Sequence, residues 1–266
     1  MSSSGGGTRA VTLITGASGG IGADLARVFA RHGHDLALVA RGTQKLEALA
    51  AEIEAGGHRR PIVITQDLAA RDAPAHIAEA LAISGARVAI LVNNAGFGLA
   101  GPVARLDPRE QVEIVDVNVR AVLDLTLAFL PEIIAARGKI LNVASIVSFF
   151  PGPGMAVYYA SKAFLSSFSR ALGEELKGTG VTVTVLHPGL TATGFQARAG
   201  FGKVATLSRL KGASALSVAE AGYGALMAGR RAIVPGLANK LGTLILPLVP
   251  DALLLPIVAM AQRARL

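Results

Sequence analysis

The stretch "TGASGGIGADLARVFA", residues 15–30, follows a short β-branched run, "VTLIT" at 11–15, and passes without a break into a helical pattern. Gly16, Gly20 and Gly22 fall where the strand gives way to the helix. Glycine lets a backbone turn tightly and lets another group approach it closely. The helix that follows offers unpaired N–H groups and a partial positive charge at its start. A pyrophosphate needs both, so the turn reads as a dinucleotide site with Gly16, Ser18, Gly20, Ile21 and Gly22 around it.

Outward from this turn, aliphatic runs recur at "DLALVA" from 35, "PIVIT" from 61, "VAILVNN" from 88, "KILNVAS" from 139, "VTVTVLH" from 181 and "AIVP" from 232. With "VTLIT" they imply seven strands. Their near-continuous apolar character suits strands covered on both faces. Helix-length segments such as "LARVFARHG" and "KLEALAAEIEAGG" lie between them. The alternation predicts an α/β fold, a doubly wound parallel sheet with helices on both faces. No internal repeat or linker divides the chain, so a single domain is expected over 9–236. The glycine- and serine-rich "MSSSGGGT" at 1–8 reads as a flexible lead-in, and 237–266 as a hydrophobic extension.

Composition excludes several classes of function. Cysteine is absent, which removes disulfides and thiolate chemistry, and His32, His34, His58, His76 and His187 show no ligand spacing, so no metal site is expected. The net charge of +8 comes from scattered Lys and Arg with few aromatics beside them, which favours a solvated basic surface over a nucleic-acid face. No export signal is evident at the N-terminus, and the expectation is a cytoplasmic protein.

The ends of the strands carry the next signals. The second strand ends "LVARG", with Ala40 where a carboxylate would hold a ribose hydroxyl and Arg41 after it. A carboxylate would repel a 2′-phosphate and a guanidinium binds one, so NADP(H) is expected over NAD(H), unless Arg41 is only a solvated loop residue. Asp67 and Leu68 follow the third strand; Asp67 either bonds the adenine amino group or shapes the next segment. "NNAG" ends the fourth strand, bringing Asn94, Ala95 and Gly96 to the edge where ligands collect, with backbone capping as the plainer role of Asn93 and Asn94. "VYYASKAF" at 157–164 holds two tyrosines, and helical spacing lets either reach Lys162.

Taken together, "TGASGGIG" at 15–22, "NNAG" at 93–96, Asn118 in "VDVNVRA", Ser145 in "NVAS", the Y-x-x-x-K pattern and "HPGLTATGF" from 187 closely resemble the short-chain dehydrogenase/reductase family over roughly residues 9–235. The resemblance implies a one-domain Rossmann fold and a tetrad of Asn118, Ser145, Tyr158 and Lys162. It also chooses between the tyrosines, because the family's lysine follows at i+4 and its serine precedes by about thirteen residues, which Tyr158 fits and Tyr159 does not. Tyr158 is then the general acid for carbonyl reduction, and the Lys162 ammonium is expected to lower the phenol's pKa from its usual value of about 10. Ser145 donates to the substrate oxygen. By the same resemblance Lys162 also bonds the nicotinamide ribose, Asn118 sits in a helix and holds a relay water, backbone groups near Leu190 and Thr191 with the Thr193 hydroxyl hold the carboxamide, and Pro188 and Gly189 belong to the cofactor site. Helices around 108–130 and 157–177 are expected to form a homodimer or homotetramer interface. Many NADP-using relatives carry a basic residue where this chain has Gly19, which leaves the discrimination to Arg41.

A substrate loop is expected at about 195–214, with Phe195, Phe201, Val204 and Leu207 closing over an apolar ketone or packing on the protein. "LGTLILPLVPDALLLPIVAMA" at 241–261 is long enough to span a bilayer, but Pro247, Pro250, Pro256 and Asp251 interrupt it. Broken helices are expected there, covering the cleft, joining subunits or lying in a membrane surface, with basic "QRAR" after them. The leading reading is an NADP(H)-dependent oxidoreductase acting on a small-molecule carbonyl or alcohol. The alternatives are a non-catalytic NADP(H)-binding sensor or scaffold, and a membrane-surface reductase of lipid-like ketones.

Overall fold

The computed structural model describes residues 8–200 and 212–263. Of the expected lead-in only Thr8 is among them, and Phe201, Val204 and Leu207 of the expected substrate loop lie outside the described residues, as does the end of "QRAR". The strands are β1 (Arg9–Thr15), β2 (Leu36–Ala40), β3 (Ile62–Thr65), β4 (Ala86–Asn93), β5 (Lys139–Val143), β6 (Thr182–Leu186), β7 (Thr191–Ala192), β8 (Ala213–Ser214) and β9 (Ala232–Ile233). Seven of them form one sheet in the order β3-β2-β1-β4-β5-β6-β9. Every pairing in it is parallel. β7 and β8 make a separate parallel pair that the hydrophobic runs did not foretell.

The helices are α1 (Gly20–Arg31), α2 (Thr43–Ala55), α3 (Ala73–Ile83), α4 (Pro108–Val115), α5 (Ala121–Ala135), α6 (Ala156–Glu175), α7 (Phe195–Arg198), α8 (Ala215–Met227), α9 (Leu237–Ile245) and α10 (Asp251–Arg263). A π-helical turn, Asp116–Arg120, joins α4 to α5. Alternate residues of each strand feed opposite faces of the sheet. Leu36, Leu38 and Ala40 of β2 pack with Leu25 and Phe29 of α1 and Val218 and Leu226 of α8. Ala37 and Val39 pack with Ile77 of α3 and with Phe129 and Ile133 of α5. Phe29 and Phe129 are fully buried, and each such ring contributes about 1.5–3 kcal/mol relative to exposure. Both faces are therefore covered, as the continuous apolar runs require.

At the C-terminus Pro247 and Pro250 fall at the break between two helices as expected, but Pro256 does not interrupt the second one. α9 ends in a 3-10 turn at Leu246–Leu248, and α10 follows with Pro256 inside it. Leu237, Leu241, Leu244, Leu248, Leu253, Ile257 and Met260 are exposed along this tail. Among the described residues no helix is long and apolar enough to cross a membrane.

Candidate active site

The sheet changes its direction of growth between β1 and β4, and loops at the carboxyl ends of the strands open there into a cleft of about 850 Å³. Gly16, Ser18, Gly20, Ile21 and Gly22 line it after β1, Arg41 after β2, Asp67 and Leu68 after β3, and Asn94, Ala95 and Gly96 after β4. Ser145 stands after β5, Tyr158 and Lys162 on the first turns of α6, and Pro188, Gly189, Leu190, Thr191 and Thr193 after β6. Of the predicted catalytic and cofactor residues, all of them among the described residues, only Asn118 is behind the wall rather than on it.

The glycine turn is held by contacts that no side chain would allow. A Cβ on Gly22 would fall 2.3 Å from the Gly16 carbonyl oxygen and 2.4 Å from Asn94 Nδ2. Gly16 adopts φ +67° against Ala95, and Gly20 adopts φ +55°. Asn94 Nδ2 donates to the Thr15 and Gly16 carbonyls at 2.9 and 3.2 Å. Thr15 Oγ1 accepts from the N–H groups of Asn94 and Ala95. The Asn94 carboxamide is thus engaged in clamping β1 to β4. Gly19, by contrast, would meet nothing within 4 Å, and α1 has no side-chain cap and no acidic residue in its first turn. Open space beside an uncapped helix start fits a dinucleotide pyrophosphate.

Arg41 Nη1 lies 3.2 Å from Glu113 Oε1, and Arg198 reaches the same carboxylate at 3.9 Å. Lys45, in the first turn of α2, and Gln44 stand beside Arg41 on the wall. The sequence reading passed over Lys45, although its place four residues after Arg41 was a usable signal. Asp67 Oδ1 accepts from Ala69 N–H at 3.0 Å, the plainer of its two expected roles, while Asp67 also lines the cleft.

On the chemical side, Ser145 accepts from Val147 N–H at 3.3 Å and meets the Pro188 carbonyl at 3.4 Å. Its hydroxyl also favours the Tyr158 phenolate. Burial outweighs that effect and pushes the phenol above its ordinary value. Lys162 Nζ donates to the Val143 carbonyl at 2.9 Å and lies 5.9 Å from the centre of the Tyr158 ring, and burial pushes its pKa down to about 8. The expectation that Lys162 draws the phenol down is therefore corrected. The two share a helix face, but desolvation governs both. Gly96 brings backbone into the gap, since a Cβ there would sit 3.2 Å from Lys162 Nζ.

Asn118 sits in a helix, as expected, but off the cleft wall. It lies in the π-helical turn, fully buried, with Oδ1 accepting from Phe97 N–H at 3.1 Å and Nδ2 donating to the Phe97 carbonyl and Ser161 Oγ at 2.9 and 3.0 Å. Both amide protons are engaged by protein groups, and one lone pair of Oδ1 is left over. The segment after β6 closes on itself: Thr191 Oγ1 donates to the Gly189 carbonyl, and Thr193 Oγ1 accepts from Phe195 N–H. Phe195 packs on the Tyr158 ring at 5.1 Å.

Other residues escaped the sequence reading. Buried His187, the histidine of "HPG", brings Nδ1 to 3.1 Å from the Ser145 carbonyl, and burial lowers its pKa. Tyr159 turns away from Lys162 and meets Gln262 of α10 at 2.7 Å. No local pattern announces Gln262, which comes from the tail.

Residues 10–201 match the family described as short chain dehydrogenase. The serine 3-dehydrogenase of Agrobacterium fabrum is 36% identical over 184 residues, 69% of this chain and 72% of that protein. A very-long-chain 3-oxoacyl-CoA reductase of Coprinopsis cinerea is 39% identical over 174 residues, 64% of this chain but only 51%, about half, of its own length. A solved short-chain dehydrogenase from Sphingobium yanoikuyae in complex with NADPH superposes with a TM-score of 0.79 at 32% identity, covering 89% of this chain and 92% of that one.

Proposed function

This chain belongs to the short-chain dehydrogenase family of oxidoreductases, and on that premise we propose that it interconverts a ketone or aldehyde and the corresponding alcohol with NADP(H), using Tyr158 as acid and base. The observation that carries the reading is one wall on which Ser145, Tyr158 and Lys162 stand together, facing an uncapped helix start across the cleft. The α1 N-terminus from Gly19 to Gly22 would receive the pyrophosphate, Arg41 and Lys45 the 2′-phosphate, and Asp67 and Leu68 the adenine. Lys162 would bond the nicotinamide ribose, and Leu190, Thr191 and Thr193 the carboxamide. Bound there, the nicotinamide supplies the hydride in reduction and takes it up in oxidation.

The chain's own residues handle the oxygen. Ser145 and Tyr158 both direct hydroxyls at the substrate carbonyl oxygen, and their bonds strengthen as negative charge builds on it. Tyr158 gives its proton to that oxygen, yielding the alcohol. A buried phenol is a weak acid, so it holds its proton until the stronger base, an alkoxide, forms beside it. Lys162, mostly protonated at neutral pH with a pKa of about 8, then stands by the phenolate. Ala40 puts no carboxylate at the β2 end where a ribose 2′-hydroxyl would be held, which supports NADP(H) over NAD(H), and Arg41 would exchange Glu113 for the 2′-phosphate. Exposed Val112, Val115, Leu127 and Phe164 on α4, α5 and α6 support assembly of two or four copies, and a cytoplasmic location completes this proposal.

Purified protein with NADPH or NADH and a panel of ketones and aldehydes tests it. Turnover is expected with NADPH, lost about 10²–10⁴-fold in Tyr158→Phe. Wild-type rates in that variant would remove the assigned acid. Arg41→Ala and Lys45→Ala are each expected to narrow the NADPH preference about tenfold.

The exposed aliphatic face of α9 and α10 favours a second reading, a reductase of lipid-like ketones held at a membrane surface. The Coprinopsis relative, named for a very long acyl chain, leans the same way. Flotation with anionic liposomes, before and after deleting residues 241–266, separates the readings. Only the membrane-surface protein floats, and only with its tail.

A further inference from the structure

α10 buries two side chains, Leu254 and Gln262, eight residues apart on one helix face. Gln262 is 4% exposed and lines the cleft with Tyr158 and Tyr159. Its Nε2 donates to the Tyr159 hydroxyl at 2.7 Å. Its Oε1 is buried, and no donor among the described residues reaches it. The surroundings are apolar: Met155 and Ala199 are buried here, with Val147, Phe150 and Phe195 packed against them. Gly154, at φ +85°, lies against it, a Cβ there falling at ordinary contact distance, 3.4 Å, from Gln262 Cβ. A buried carbonyl oxygen without a donor is rare in folded proteins and calls for a partner. With the amide nitrogen tied to Tyr159, the oxygen is the end left for whatever enters the cleft.

We propose that Gln262 is a substrate-recognition residue whose Oε1 accepts a hydrogen bond from a hydroxyl or N–H group, carried on an otherwise apolar substrate away from its reacting carbonyl. Tyr159 is the positioning residue that fixes which end of the amide is presented. The proposal rests on the carbonyl-reductase reading of the same cleft. A site built to bond a donor rejects the analogue that lacks it, because the acceptor is then left buried and unpaired.

The test uses wild-type protein saturated with NADP⁺, which has no hydride to give a ketone, and calorimetry with benzylacetone, its three ring-hydroxy isomers and their methoxy counterparts. One hydroxy isomer is expected to bind at least about tenfold tighter than its methoxy counterpart. Gln262→Leu brings that ratio to within about twofold of unity, whereas Gln262→Glu, which keeps an acceptor, preserves most of it. Tyr159→Phe lowers the ratio part of the way by freeing the amide to turn, and with Gln262→Glu it decides the matter if the leucine variant does not fold. No hydroxy preference at any ring position, a preference for methoxy, or a ratio unmoved by Gln262→Leu overturns the proposal. Turnover with NADPH is followed in parallel. A ratio present without turnover removes the oxidoreductase reading and leaves the role of Gln262, and turnover without the ratio removes that role alone.

Discussion

On the glycine-turn side of the cleft, Thr15 and Asn94 bind backbone groups across β1 and β4, and Gly16 and Gly22 let the two strand ends touch. On the tail side the wall is a set of side chains from segments far apart in the chain: Met155, Tyr159, Phe195 and Gln262. Backbone fitted to backbone admits one residue type per position at a fixed spacing. A wall of side chains asks for volume and a few polar atoms, which many sequences supply. On the proposed reading the first side would hold the dinucleotide, and the second the substrate.

Lys162 stands where the two sides meet, and the largest effect is expected there. Burial holds its pKa at about 8, below the ordinary 10.5. Between those values the folded protein binds fewer protons than the unfolded chain, so this group's penalty on stability is full below pH 8 and is relieved as pH rises toward 10.5. Lys162→Met removes the penalty, and its stability relative to wild type should fall by on the order of 3 kcal/mol between about pH 7 and pH 10. Urea titrations at both pH values measure it, and a pH-independent gap would mean that Lys162 is not desolvated.

Gly22→Ala comes next, because neither the Gly16 carbonyl nor the Asn94 amide has room to yield. Overpacking of about 2–3 kcal/mol is expected, with NADPH affinity lowered about thirtyfold. Asn94→Ala frees the Thr15 and Gly16 carbonyls and should cost about 1–2 kcal/mol in thermal unfolding, again with weakened NADPH binding. The smallest effect sharpens the contrast most. Deleting residues 251–266 should leave NADPH affinity within about twofold of wild type, as expected for distant sites that share no partner. A tenfold loss by calorimetry would show that the two sides are one unit.

The same contrast explains what the sequence disclosed. The sheet was legible because strands covered on both faces are written as unbroken apolar runs, and the glycine turn because its geometry excludes other residues. Ser145, Tyr158 and Lys162 were legible through family spacing, and their close grouping on one wall agrees with it. The direction of the pKa shifts was not, since desolvation depends on what packs above α6 and no spacing records that. Asn118 was placed in a helix, yet the π-helical turn that aims it at Phe97 leaves no mark in the residue pattern. Lys45 and Gln262 were missed for different reasons, one hidden in an ordinary amphipathic helix and the other brought to the site only by tertiary folding.

The five-residue turn at Asp116–Arg120 has a consequence for how this protein tolerates change. Ala121 N–H bonds back to the Asp116 carbonyl, one residue further than in a regular helix. Loss of one residue here would let the turn close to a regular helix with α4 in place, whereas each residue gained would turn everything upstream by about 100°. Such a gain would swing α4, and with it Glu113, out from between Arg41 and Arg198. Added length in this stretch is thus under tighter constraint than the identity of its solvent-facing residues, and library designs that vary composition should not raise the count.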